Sequence, residues 1–132
     1  MSVQENIQIA LSENLFLLRL NGFLQEAMLK NLLTSLGKRI CTERSTGLIL
    51  DCQHSKIIPL TCQKWILEEW LPQLRRQHGC NYRIAIIAPT DYFGRYSIDS
   101  MEAQLKQKSF GIHSYVASSE AEAREWIINF KA

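Results

Sequence analysis

From Ile7 to Leu11 apolar residues alternate with Gln8 and Ala10, the period of a strand with one buried face. Ser12-Glu13-Asn14 is a turn cluster, and Leu15 to Leu20 reads as a more buried strand. The two runs predict an antiparallel hairpin ended by Asn21-Gly22, with the weaker first strand at a sheet edge. Leu24, Met28, Leu32 and Leu36 then recur every four residues beside Leu29, Leu33 and Ile40, which predicts an amphipathic helix of up to about five turns. Gly47 to Asp51 is strand-like, and Cys52 to Pro59 reads as a loop. Thr61 offers a partial cap to a second helix holding Trp65, Ile66, Leu67, Trp70 and Leu71. Pro72 predicts a kink, or a new short helix that runs to Gly79.

The run Ile84 to Ala88 is almost continuously apolar, as in a central strand covered on both faces. Pro89 to Arg95 reads as a loop, with Ser97 as the cap of a helix carrying Ile98, Met101 and Leu105. Gly111 to Val116 is the last strand, and Ser119 with Glu122 fits a capping box before a helix that turns Ala123, Ile127 and Phe130 inward. Strands separated by helices must pair in parallel, because each helix carries the chain back across the sheet. The expected fold is therefore α/β, a mixed sheet of about five strands in chain order, with an N-terminal antiparallel hairpin followed by parallel βα units.

Composition adds limits rather than a function. A chain of 132 residues with 46% hydrophobic and 21% charged residues fits one domain, 1–132. Fifteen basic and 13 acidic residues leave a formal charge of +2. Such balance gives no electrostatic footprint for nucleic acid. The longest apolar run is far short of a membrane span, and the polar start through Asn6 has no signal-peptide pattern, so a cytoplasmic location is expected. Cys41, Cys52, Cys62 and Cys80 form no C-x-x-C pair and read as reduced thiols. No metal site and no cofactor is expected.

Several segments together resemble a known family. They are the strand ending in Asp51, Ile57-Ile58-Pro59, Trp65 with Glu69-Trp70-Leu71-Pro72, Gly79, Ile84 to Ile87, Asp91-Tyr92-Phe93-Gly94-Arg95, and Ala123 with Trp126-Ile127. Over nearly its whole length the chain resembles the SpoIIAA-like group of bacterial STAS/SEC14-type domains. The resemblance implies a superhelix of βα units and a binding or regulatory module rather than an enzyme. Relatives that antagonise anti-sigma factors carry Asp-Ser-Ser-Gly at the start of the second helix, where a serine is phosphorylated. The matching stretch here is Pro59-Leu60-Thr61-Cys62, which places Leu60 at the acceptor position and lacks the glycine. Thr61 and Ser55 are the remaining phosphorylation candidates, and the departure argues against such a switch. Lipid-carrying relatives need a large apolar cavity, for which 132 residues leave little room.

Ligands of parallel sheets favour the edge where the strands' carboxyl ends open. The ligand-binding candidates there are Asp51, His54, Asp91, Tyr92, Phe93 and Arg95. Cys52, His54 and Asp91 can be drawn as nucleophile, base and orienting acid, but Cys52 follows a buried strand and packing is the plainer reading. Asp51 is better read as an acceptor of loop amides, and Arg95 as a partner of Asp91 or Asp99. The second helix spreads its apolar residues over more than the ~100° that faces one core, so Leu67, Trp70 and Leu71 are expected on an interaction surface. The leading expectation is a non-enzymatic module that binds a protein partner or itself. The alternative is a small-molecule or lipid-like ligand carrier or sensor, using the strand-end crevice or an apolar sheet–helix pocket.

Overall fold

The computed structural model describes residues 7–22, 25–55, 58–79, 82–108 and 111–130. Five strands form one sheet in chain order: β1 (Ile7–Ser12), β2 (Leu15–Gly22), β3 (Gly47–Ser55), β4 (Tyr82–Ile87) and β5 (Ile112–Ala117). The β1–β2 pair is antiparallel and the other three are parallel. The helices are α1 (Glu26–Thr42), α2 (Leu60–Trp65), α3 (Leu71–His78), α4 (Tyr92–Lys108) and α5 (Glu120–Asn129), and a π-helical turn, Ile66–Trp70, joins α2 to α3. The expected fold class, strand order and placement of helices after the second to fifth strands all hold.

Alternation along the strands divides the core in two. Phe16, Leu18, Leu48, Leu50, Ile84 and Ile86 face a large cluster with α1, α2, α3 and α4. Leu15, Ile49, Ala85, Ile87 and Ala117 face a smaller one closed by Ala123 and Ile127 of α5. β4 is thus covered on both sides, as its unbroken apolar run requires. Gly47 lets α5 come close, since a Cβ there would meet Ile127 Cγ2 at 2.6 Å.

The structure corrects several local expectations. The segment after Asp51 is strand to Ser55, because β2 also runs on and Asn21 pairs with His54. Between the Arg19–Asp51 and Asn21–His54 pairs β3 carries one extra residue, a bulge, and Asp51 Oδ1 accepts the Gln53 N–H at 3.0 Å. α2 starts at Leu60 with Pro59 before it and no side-chain cap, and the Thr61 hydroxyl bonds the Glu26 carboxylate instead. α4 starts at Tyr92, not after Ser97, because Asp91 Oδ2 accepts the Gly94 N–H at 2.8 Å. Ser97 instead accepts Gln63 Nε2 at 2.6 Å. Ser119 caps α5 as its motif predicts, accepting the Glu122 N–H at 3.1 Å.

Around Pro72 the helix widens and continues. The Leu71 N–H donates to the Ile66 carbonyl five residues back. The wider turn shifts the ladder just before the residue that has no N–H to give. The next helical segment begins at Leu71, with Pro72 in its first turn, and ends at Gly79 with φ 105°. Leu24 and Ile57 lie outside the described residues.

Candidate functional site

The expected surface on the second helix does not exist as a surface. Leu67, Trp70 and Leu71 are 2%, 6% and 3% exposed. Helical periodicity correctly gave a wide apolar arc, but the arc meets the sheet on one side and α1 and α4 on the others. These side chains, with Leu33, Leu50 and Met101, line a cavity of about 40 Å³. An apolar cavity of about 150 Å³ is what holds a benzene-sized guest. At its edge Glu102 meets Lys106 through Oε1 at 3.5 Å, and Glu102 Oε2 is buried without a partner.

At the carboxyl ends of the strands the candidate residues have separate tasks. Asp51 is buried and joins a charged chain: Arg19 Nε donates to its Oδ2 at 3.0 Å, and Arg19 Nη2 donates to Glu120 Oε1 at 2.8 Å. Arg19 Nη1 also donates to Gln8 at 3.2 Å. The network ties β1, β2 and β3 to the first turn of α5. A carboxylate this engaged is a structural acceptor, as its position suggested. Arg19 was missed, although an arginine inside the apolar run Leu15 to Leu20 is a signal that a partner exists.

His54 is exposed on the β3 extension, and Asp91 is spent on the cap of α4. Arg95 pairs with Asp99 at 3.3 Å on the exposed side of α4. The side chains of Tyr92 and Phe93 lie outside the described residues. Cys52 is fully buried in the large cluster, and burial pushes its thiol up to about 12. The Ser55 hydroxyl beside it is buried and donates to the Cys52 carbonyl at 3.0 Å. A neutral, enclosed thiol cannot act as a nucleophile toward a ligand in solution. Of the phosphorylation candidates Ser55 is enclosed, whereas Thr61 is exposed against Glu26. Among the described residues no group of His, Cys, Asp and Glu side chains could hold a metal ion, and no helix is long and apolar enough to cross a membrane.

One accessible apolar feature is the free edge of β1. Glu13 and Asn14 both have positive φ, 54° and 65°, so the hairpin closes through a two-residue I′ turn. Such a turn makes Ser12–Leu15 a hydrogen-bonded pair, and bonding then alternates through Ala10–Leu17 and Gln8–Arg19. The N–H and C=O of Ile7, Ile9 and Leu11 therefore point away from β2, along the open edge. Ile9 and Leu11 are also 38% and 40% exposed. The segment Ile7–Ser12 carries no charge and no proline, the usual protections of an edge. The alternation in the sequence located this strand, but not how bare its edge is.

No family model matches the chain, and no curated protein matches it. Among solved structures it is similar to an uncharacterised protein of the DUF3478 family with a SpoIIAA-like fold, from Shewanella loihica PV-4. The two share 17% identity over 92% of this chain and 91% of that one, with a TM-score of 0.52. Five strands in chain order, one antiparallel hairpin, parallel βα units and this likeness lead to one conclusion: the chain has a SpoIIAA-like fold.

Proposed function

We propose that this protein is a non-catalytic interaction module that associates through the open edge of β1, and that the strand it pairs with is β1 of a second copy. The observation that carries this reading is the edge itself: three outward-facing backbone units on an uncharged strand, with Ile9 and Leu11 exposed beside them. Two identical strands related by a two-fold axis pair antiparallel by necessity. An axis through Ile9 sets Ile9 against its own copy and Ile7 against the second copy's Leu11. Every outward N–H and C=O of Ile7, Ile9 and Leu11 then finds a partner, and no charged residue lies within the paired segment Ile7–Leu11. The strip is short, so the association is weak and depends on concentration.

Ile9→Pro tests it. Proline at this position removes an outward N–H and leaves the β1–β2 bonds intact, since the N–H of Ile9 does not serve them. Sedimentation equilibrium should show a monomer–dimer equilibrium for the native chain and a monomer for Ile9→Pro, with similar melting temperatures. Leu11→Lys should act in the same direction. A native chain that stays monomeric at high concentration, or a dimer unaffected by both changes, would sink the proposal.

A further inference from the structure

A second feature lies at the opposite end of the parallel strands, where no ligand was expected. Cys41 and Arg44 at the end of α1, Ser45 and Thr46 leading into β3, His78 at the end of α3 and Arg83 in β4 line one open cleft of about 530 Å³. Clefts of this size hold small molecules. Its floor is fixed: Ser45 Oγ lies 2.9 Å from the carbonyls of Asn14 and Gly47 and 3.1 Å from the Tyr82 hydroxyl.

The charge here is one-sided. Among the described residues no carboxylate lines the cleft, and neither Arg44 nor Arg83 has an acidic partner. Arg83 gives Nη1 to the Ile127 carbonyl at 3.0 Å and lies over the Phe130 ring, while its Nε is buried with no acceptor. His78 places Nε2 2.7 Å from the Ser45 carbonyl, and its Nδ1 is likewise buried and unpartnered. Desolvation raises the Cys41 thiol, so it adds no negative charge near neutral pH. Arg44 sits in the left-handed region, φ 53°, where glycine or asparagine is the easier choice. The backbone there closes α1: the Ser45 N–H donates to the Ile40 carbonyl at 3.0 Å and the Arg44 N–H to the Cys41 carbonyl at 3.3 Å, the hydrogen bonds of a left-handed helix end.

We propose that this cleft binds a small phosphate-bearing molecule from solution, with the guanidinium groups of Arg44 and Arg83 as its two cationic arms. Planar guanidinium forks match phosphate oxygens bidentately, and two arms suit a group with at least two negative charges. The volume exceeds that of a bare phosphate and leaves room for an organic portion beside Gln77 and Thr46.

Calorimetric titration of the full chain with inorganic pyrophosphate, at constant ionic strength against chloride, tests the site. Saturable binding is expected, weakened about tenfold or more by Arg44→Gln. Arg44→Gly, which suits the backbone, should weaken binding equally while raising the melting temperature. Amide NMR shifts should centre on Ser45 and Thr46. A parallel arm with vesicles containing phosphatidic acid should show no retention. Absence of saturable binding, an affinity in both Arg44 variants unchanged from that of the native chain, or binding to vesicles alone would overturn the assignment.

Discussion

The indole of Trp70 donates its Nε1 hydrogen to the Leu33 carbonyl across 2.6 Å, at the point where α1 presents Gly37 rather than a larger residue. A Cβ on Gly37 would lie 3.2 Å from that nitrogen. The glycine makes space, and the hydrogen bond fixes the ring that fills it. Gly37→Ala ordinarily gains helix propensity, about 1 kcal/mol. Here it should destabilise, because the anchored indole cannot withdraw. Trp70→Phe should cost about 1–2 kcal/mol, mainly the lost donor and part of the ring contact. In the Trp70→Phe background, Gly37→Ala should become neutral or stabilising. Chemical denaturation of the four proteins completes the cycle, and additive effects would show that the pair is not coupled.

Asp51→Asn should lower stability by about 1–3 kcal/mol, because Asp51 is buried while Arg19 keeps its charge and loses one anionic acceptor. Glu120 remains on Arg19, which limits the loss. The urea midpoint should fall with the slope unchanged, since the native fold is the same. Removal of Glu120, on the exposed part of the network, should cost less than removal of Asp51. An inverted order would mean that the helix contact and not the strand contact carries the network.

Alkaline stability should follow the buried acids. Cys52 is pushed up to about 12, chiefly by burial, and Tyr82 is raised for the same reason. For an acid whose folded pKa exceeds its unfolded value, the folded state holds the proton more tightly. Its contribution is complete below the unfolded pKa and is lost as pH rises from there toward the folded one. Stability should thus decline from about pH 8.5 upward, the ordinary thiol range, toward 12. Cys52→Ala should flatten the first part of that decline. Iodoacetamide at pH 8 should leave Cys52 unmodified in the native protein and label it in urea, as read by peptide mass mapping. Labelling under native conditions would show that the thiol is accessible.

The strands could be read from the sequence because their periods have one physical meaning each. The unbroken run at Ile84 to Ile87 requires cover on both faces, and β4 has it. Capping at Ser119 was equally direct. Periodicity fails where the answer depends on how many neighbours a face has. It measured the arc holding Leu67, Trp70 and Leu71, but not that the sheet, α1 and α4 all meet it. The π-helical turn left no mark beyond Pro72, since a five-residue hydrogen-bond step uses the same residues as a four-residue one. Asp91 sits in a stretch rich in aromatic and turn residues, which hid a helix start. Of the candidate sites, Asp51 was located and its role as an acceptor understood, but Arg19 and Glu120 were not connected to it. The cleft at Arg44 and Arg83 joins positions far apart in sequence, and nothing local announces it.

The close approach of Gly47 and Ile127 has a consequence for the chain while it is being made. One face of the sheet, with Ile49, Ala85 and Ile87, is closed by a helix that follows β3 by nearly half the sequence. During synthesis those strands emerge first and stay uncovered on that side until α5 leaves the ribosome. A nascent chain halted before Ser119 carries a greasy, half-roofed sheet, and the bare edge of β1 beside it invites the wrong neighbours. Until α5 arrives, that face of the sheet stays open to water.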